Sequence, residues 1–148
     1  MTSIGFTGTQ KGLTKIQNEV LEVYLDMLIT DAVMQSEFEG FHHGDCEGAD
    51  YEACMIVAQL TDNIHTHPPL NGSKRAFWVT TGGTVYPAKE YLVRNKDIVN
   101  ACTILVVCPE TMEEKLRSGT WSTVRYAKKL NKQILIVYPD GSIRWTTK

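Results

Sequence analysis

Neither sign of charge is in excess: 15 Lys and Arg stand against 17 Asp and Glu over 148 residues, a net charge of −2. Such a chain has no general field to draw it to nucleic acid or an anionic membrane, so any site for a polyanion must be local. No apolar run approaches the roughly 20 residues of a membrane helix. The opening Met1-Thr2-Ser3-Ile4-Gly5-Phe6 lacks the basic segment and apolar core of a secretory leader. A cytoplasmic location and no membrane partner are expected. The four cysteines, Cys46, Cys54, Cys102 and Cys108, form no CxxC pair, and three of them lie among apolar residues. Reduced core thiols are expected, rather than disulfides or a metal centre.

What is present is ordinary globular composition, 43% hydrophobic and 22% charged, which excludes disorder and collagen-like repeats. The length fits one domain over residues 1–148, and no linker interrupts it. Strand and helix signals alternate. Ile4-Gly5-Phe6 runs into the glycine-punctuated loop Thr7-Gly8-Thr9-Gln10-Lys11-Gly12. A helix then opens on the capping box Thr14-Lys15-Ile16-Gln17, with Ile16, Val20, Val23 and Met27 beside Leu21, Leu25 and Leu28 at helical spacing. A strand is predicted over 38–43, followed by a helix carrying Ala49, Ala53, Ile56, Val57 and Leu60. Further strands are predicted over 63–67, 77–80, 103–107 and 134–138. Helices are predicted from Pro87 to about Asn100 and from Ser118 through Leu130. The apolar run 103–107 suits the centre of a sheet buried on both faces. The expected architecture is α/β, a mainly parallel sheet with helices on both faces, whose ligands sit beyond the strands' carboxyl ends.

The loops at that end carry the candidate chemistry. Gly8, Gly48 and Gly119 each mark either a close-approach anion cradle at a helix start or a plain strand-to-helix turn, and their equivalent positions favour a shared site. Asp45 is read as a ligand contact and Asp50 as a helix cap. His65 and His67 alternate and so face the same way, but no further ligand of suitable spacing accompanies them, and no metal is expected.

Three stretches together resemble the DprA/Smf-like members of the SLOG superfamily, Rossmann-like nucleotide-binding domains that include the LOG-type cytokinin-activating proteins. They are His43-Gly44-Asp45-Cys46-Glu47-Gly48-Ala49-Asp50, Tyr91-Leu92-Val93-Arg94-Asn95-Lys96-Asp97-Ile98-Val99 and Ser118-Gly119-Thr120-Trp121-Ser122-Thr123-Val124-Arg125-Tyr126-Ala127. The resemblance implies ligand-binding roles for Gly8, Thr9 and the adjoining Gln10, and for Asp45, Gly48, Asn95, Ser118, Gly119 and Thr120. Arg94 becomes the expected partner of a phosphate, with His43 and Trp121 in second rank. The catalytic glutamate of LOG-type phosphoribohydrolases falls on Thr123 here, so no catalytic residue is assigned and no cofactor is implied.

The leading expectation is therefore a non-catalytic binder of a nucleotide-derived small molecule, ADP-ribose-like or derived from a cyclic nucleotide. By the same resemblance it could sequester an immune signal, as a sponge evading antiviral defence, in the host cytoplasm if the chain is viral. An N-glycosidic hydrolase using Asp45 or one of Glu110, Glu113 and Glu114 is the alternative. A DprA-like single-stranded DNA-binding accessory protein is the third reading, opposed by the charge balance. Assembly into a homo-oligomer is compatible with all three.

Overall fold

In the computed structural model, which describes residues 1–146, a six-stranded sheet is flanked by four helices. The strands are β1 (Thr2–Gly8), β2 (Phe38–His43), β3 (Ile64–Thr66), β4 (Ile104–Cys108), β5 (Gln133–Val137) and β6 (Ile143–Thr146). The helices are α1 (Lys15–Met34), α2 (Ala49–Val57), α3 (Tyr91–Ala101) and α4 (Gly119–Lys129). Strand order is β3-β2-β1-β4-β5-β6. All neighbours are parallel except β6, which runs antiparallel to β5.

The two-residue period of a strand explains the layering. Val106 and Cys108 of β4, with Leu135 and Val137 of β5, face a core that includes Leu21, Leu25 and Ile29 of α1 and Ala53 and Val57 of α2. Leu105, Val107, Ile134 and Ile136 face the other way, onto Val99 of α3 and Trp121, Val124 and Ala127 of α4. Both faces of the central strands are thus covered. The predicted central run lies in β4, paired between β1 and β5.

Four expectations require correction. In α1 the buried stripe is Gln17, Leu21, Leu25, Ile29 and Ala32, whereas Ile16, Val23 and Met27 are about half exposed. The capping box does form at Thr14 and Gln17. The Gln17 amide also donates to the carbonyls of Pro109 (3.0 Å) and Val137 (2.9 Å), which fixes the helix with that side inward. No strand forms over 77–80. Phe77 has φ +57°, outside the β region, and the Trp78 amide donates to the Asp45 carboxylate at 2.8 Å instead of to a ladder. Pro87 stands before α3, which starts at Tyr91, because the chain around it runs beside β3: Thr66 donates to Thr84 and Tyr86 donates to Thr66. Finally, the short half-exposed β6 follows the turn at Asp140 and Gly141, where the sequence signals no strand.

Candidate functional site

The chain leaves β1 for one side of the sheet and later crosses to β4 on the other side. The loops after these two adjacent parallel strands therefore diverge, opening a crevice at their carboxyl ends. A cleft of about 360 Å³ lies there. Its walls come from Gly8, Thr9, Gln10 and Lys11 after β1, from Glu110, Thr111 and Lys115 after β4, and from Ser118, Gly119, Thr120 and Trp121 at the start of α4; Lys74 and Tyr91 close it.

Each wall has a local cause. The Ser118 hydroxyl caps α4 by accepting from the Trp121 amide at 3.2 Å. The amides of Gly119 and Thr120 belong to the first turn, which has no intrahelical acceptor, and they carry the positive end of the helix dipole. The Trp121 indole N–H reaches the Thr111 hydroxyl at 3.4 Å, tying the loop after β4 to the helix. Gly119 is needed for fit: a Cβ there would stand 2.7 Å from the edge of the Tyr91 ring. The rim is basic, with Lys11, Lys74 and Lys115, although Lys11 also pairs with Glu110 at 3.1 Å and Lys74 with Glu47 at 3.6 Å. Burial raises the Tyr91 phenol above its ordinary pKa, so it stays a protonated donor at neutral pH. Removing the cap by Ser118→Ala should cost about 1 kcal/mol of stability in chemical denaturation. An unchanged midpoint would contradict the capping role.

Of the candidates read from sequence, Gly8, Thr9, Gln10, Ser118, Gly119, Thr120 and Trp121 meet in this cleft; His43, Asp45, Gly48, Arg94 and Asn95 do not line it. Arg94 is 3% exposed. Its guanidinium donates to the carbonyls of Gly44 and, at 3.1 Å, His67, and through Nε to Asn95 Oδ1 at 2.8 Å. With those donors on protein acceptors, it ties the loops after β2 and β3 together. Asp45 is likewise occupied. Held at φ +56°, it places one carboxylate oxygen on Arg75 Nε at 2.5 Å and the other on the Trp78 amide. It holds the 75–78 segment against the loop after β2.

Gly48 serves a backbone approach. It has φ +88°, a Cβ would fall 2.4 Å from the Gln10 carbonyl oxygen, and the next amide, Ala49, donates to the Thr9 carbonyl at 2.9 Å. The start of α2 thereby supports the loop that forms the cleft floor. Asp50, expected as a cap, does not cap that start: no side chain does, and its carboxylate instead accepts from the loop amides of Gly44 and Cys46, while burial raises its pKa to about 6 against the pull of Arg94. His43 accepts from the Asp45 amide through Nδ1, so Nε2–H is assigned as donor to the Thr66 hydroxyl. Burial first, then His67 and Arg94, lowers its pKa to about 3, and it is neutral. Thr123 turns its hydroxyl onto the Gly119 carbonyl at 2.9 Å.

The residues missed from sequence are Lys11, Lys74, Tyr91, Thr111 and Lys115. Only Tyr91 carried a signal, one helical turn before Arg94, whose guanidinium lies 4.7 Å from its ring centre. His65 and His67 do share a face, packed around His42: the His65 ring stacks on it, and His42 Nδ1 meets His67 Nε2 at 2.9 Å. Among the described residues no group of three or more His, Cys, Asp or Glu is arranged to hold a metal ion, and no helix is long and apolar enough to cross a membrane.

No protein-family model matches the chain, and no curated protein does. Among solved structures, the X-ray structure of TM1055, a Northeast Structural Genomics Consortium target, superposes with a TM-score of 0.63 at 11% identity, over 90% of this chain and 72% of that one. The fold is Rossmann-like. In such a sheet the crevice between β1 and β4 is the topological switch point, the place where this architecture binds its ligands. The cleft described above occupies it.

Proposed function

We propose that this chain binds a nucleotide-type ligand without chemical turnover, with the ligand's phosphate at the start of α4. The observation that carries this reading is the convergence at the switch point of first-turn amides at Gly119 and Thr120, hydroxyls of Thr9, Ser118 and Thr120, and the rim lysines. A dipole end with several donors and local positive charge suits a phosphate on a protein whose overall field is slightly negative. The sequence resemblance to DprA/Smf-like SLOG domains points the same way. It makes an ADP-ribose-like molecule or a cyclic nucleotide-derived signal the favoured ligand, held by a protein that lowers its free concentration.

The absence of turnover rests on Thr123. It stands where LOG-type enzymes carry their glutamate, and its hydroxyl is spent on the helix backbone. A hydrolytic reading keeps one supporting observation, that Glu110 lines the cleft and could act on a bound sugar. Glu114 is drawn away by Arg125 at 2.8 Å, and Asp45 by Arg75.

Calorimetry with ADP-ribose, followed by mass spectrometry of the ligand after denaturation, tests the two readings together. Saturable binding and recovery of unchanged ligand are expected, whereas ribose and base fragments would establish the hydrolase. Gly119→Val places its branch against the Tyr91 ring and fills the cleft. It should weaken binding about tenfold or more while circular dichroism stays native.

A further inference from the structure

A second chamber, also about 360 Å³, adjoins the first and is lined by Cys46, Pro69, Leu70, Asn71, Ser73 and Glu90. Gln10, Lys74 and Tyr91 border both chambers, so the two lie side by side with these three residues between them. Their walls differ in chemistry. The first holds the α4 amides, the hydroxyls and the lysines Lys11 and Lys115, while the second sets Pro69, Leu70 and the Tyr91 ring among Cys46, Asn71, Ser73 and Glu90; Lys74 serves both. The partition is fixed in place: Arg94 lies over the Tyr91 ring, and Gly119 lets that ring seat against α4.

From this pairing we infer that the ligand is a two-part molecule, a nucleoside diphosphate carrying a second sugar, with its base in the second chamber and its phosphates and distal sugar in the first. The inference rests on the phosphate-binding reading above and adds the size and orientation of the ligand. A mononucleotide or sugar phosphate would occupy one chamber only. Each chamber lies near the lower end of the roughly 300–1,000 Å³ span of small-molecule sites, which suits half of a dinucleotide-sized ligand in each. Lys74, at the junction, stands where the bridging charge would pass. A planar base against Tyr91 and the Leu70 and Pro69 side chains gains stacking and apolar contact whatever its identity.

Calorimetry with ADP-ribose and with ribose 5-phosphate, on the native protein and on Ser73→Trp, tests the assignment. Ser73 lies in the second chamber, away from the α4 amides, and an indole there takes the space of the base. ADP-ribose should bind the native protein about 10-fold or more tighter than ribose 5-phosphate, the gain that base stacking supplies. Ser73→Trp should erase that advantage and leave ribose 5-phosphate affinity unchanged, which also reports that the variant is folded. Leu70→Trp, at a second lining position of the same chamber, should do the same. Equal affinity of the native protein for the two compounds, or an advantage that survives both substitutions, would overturn the two-chamber assignment while leaving phosphate binding intact. Failure of either compound to bind would overturn the phosphate reading itself.

Discussion

Replacing Arg94 with alanine is expected to lower stability by about 3 kcal/mol or more, because removing one partner from a buried charged network leaves its other members unsatisfied. The carbonyls of Gly44 and His67 and the Asn95 side-chain oxygen would each lose a donor. Asp50, buried and influenced by the same guanidinium, would lose its nearby positive charge. The loops after β2 and β3 would separate as a consequence, and the cleft floor would loosen with them. Lysine should not restore the fold's stability, since a single ammonium cannot replace a planar fork that reaches three acceptors. Urea denaturation of the native protein, Arg94→Ala and Arg94→Lys measures this. A loss within about 0.5 kcal/mol, as for a solvated side chain on a helix face, would show that the network does not hold the loops.

Acid should destabilise the protein steeply, and the histidines decide the sign. His42 and His43 are held down to about pKa 3, first by burial and then by the neighbouring imidazoles, and His67 to about 4. In the unfolded chain each titrates near about 6.5. Below that pH the unfolded chain takes up protons that the folded one refuses. Stability present above about pH 6.5 is therefore lost as pH falls toward the folded values. Asp50 works in the opposite direction, since its folded pKa of about 6 lies above the ordinary value near 4, so it favours the fold as pH falls between them. Each group contributes up to about 1.4 kcal/mol per pH unit, and three histidines outweigh one aspartate. The denaturation midpoint should thus fall between pH 7 and pH 5. In His42→Gln, which removes one titrating ring from the stack, the fall should be shallower. A midpoint flat over that range would mean that the imidazoles are solvated.

The sequence made most of the sheet legible because its signals are local. The run Ile104–Cys108 is apolar throughout, which only a strand covered on both faces tolerates, and the Thr14 and Gln17 pair marks the start of α1 by its own side-chain chemistry. Where the outcome depended on distant partners, pattern failed. Two apolar stripes compete on α1, and the choice between them involves the Gln17 amide finding carbonyls at Pro109 and Val137. The 77–80 segment looks like a strand, yet its backbone answers to a carboxylate more than thirty positions earlier in the chain.

The candidate site divides along the same line. Ser118, Gly119 and Thr120 are recognisable because a helix start has local chemistry, and they do line the cleft. Arg94 and Asp45 carry charge, which in a sequence reads as ligand binding, but both are spent internally on holding loops. Conversely Lys11, Lys74 and Lys115 are ordinary loop lysines until the fold gathers them on one rim.

The central claim, that the crevice between β1 and β4 holds the phosphates of a nucleotide-type ligand, is tested most directly by following backbone amide resonances of the labelled protein during titration with ADP-ribose. The account predicts saturable shifts concentrated at Thr9, Gln10, Gly119 and Thr120, with the exposed surfaces of α1 and α2 much less affected. No perturbation, or perturbation centred on the surface of α1 and α2 instead, would contradict it.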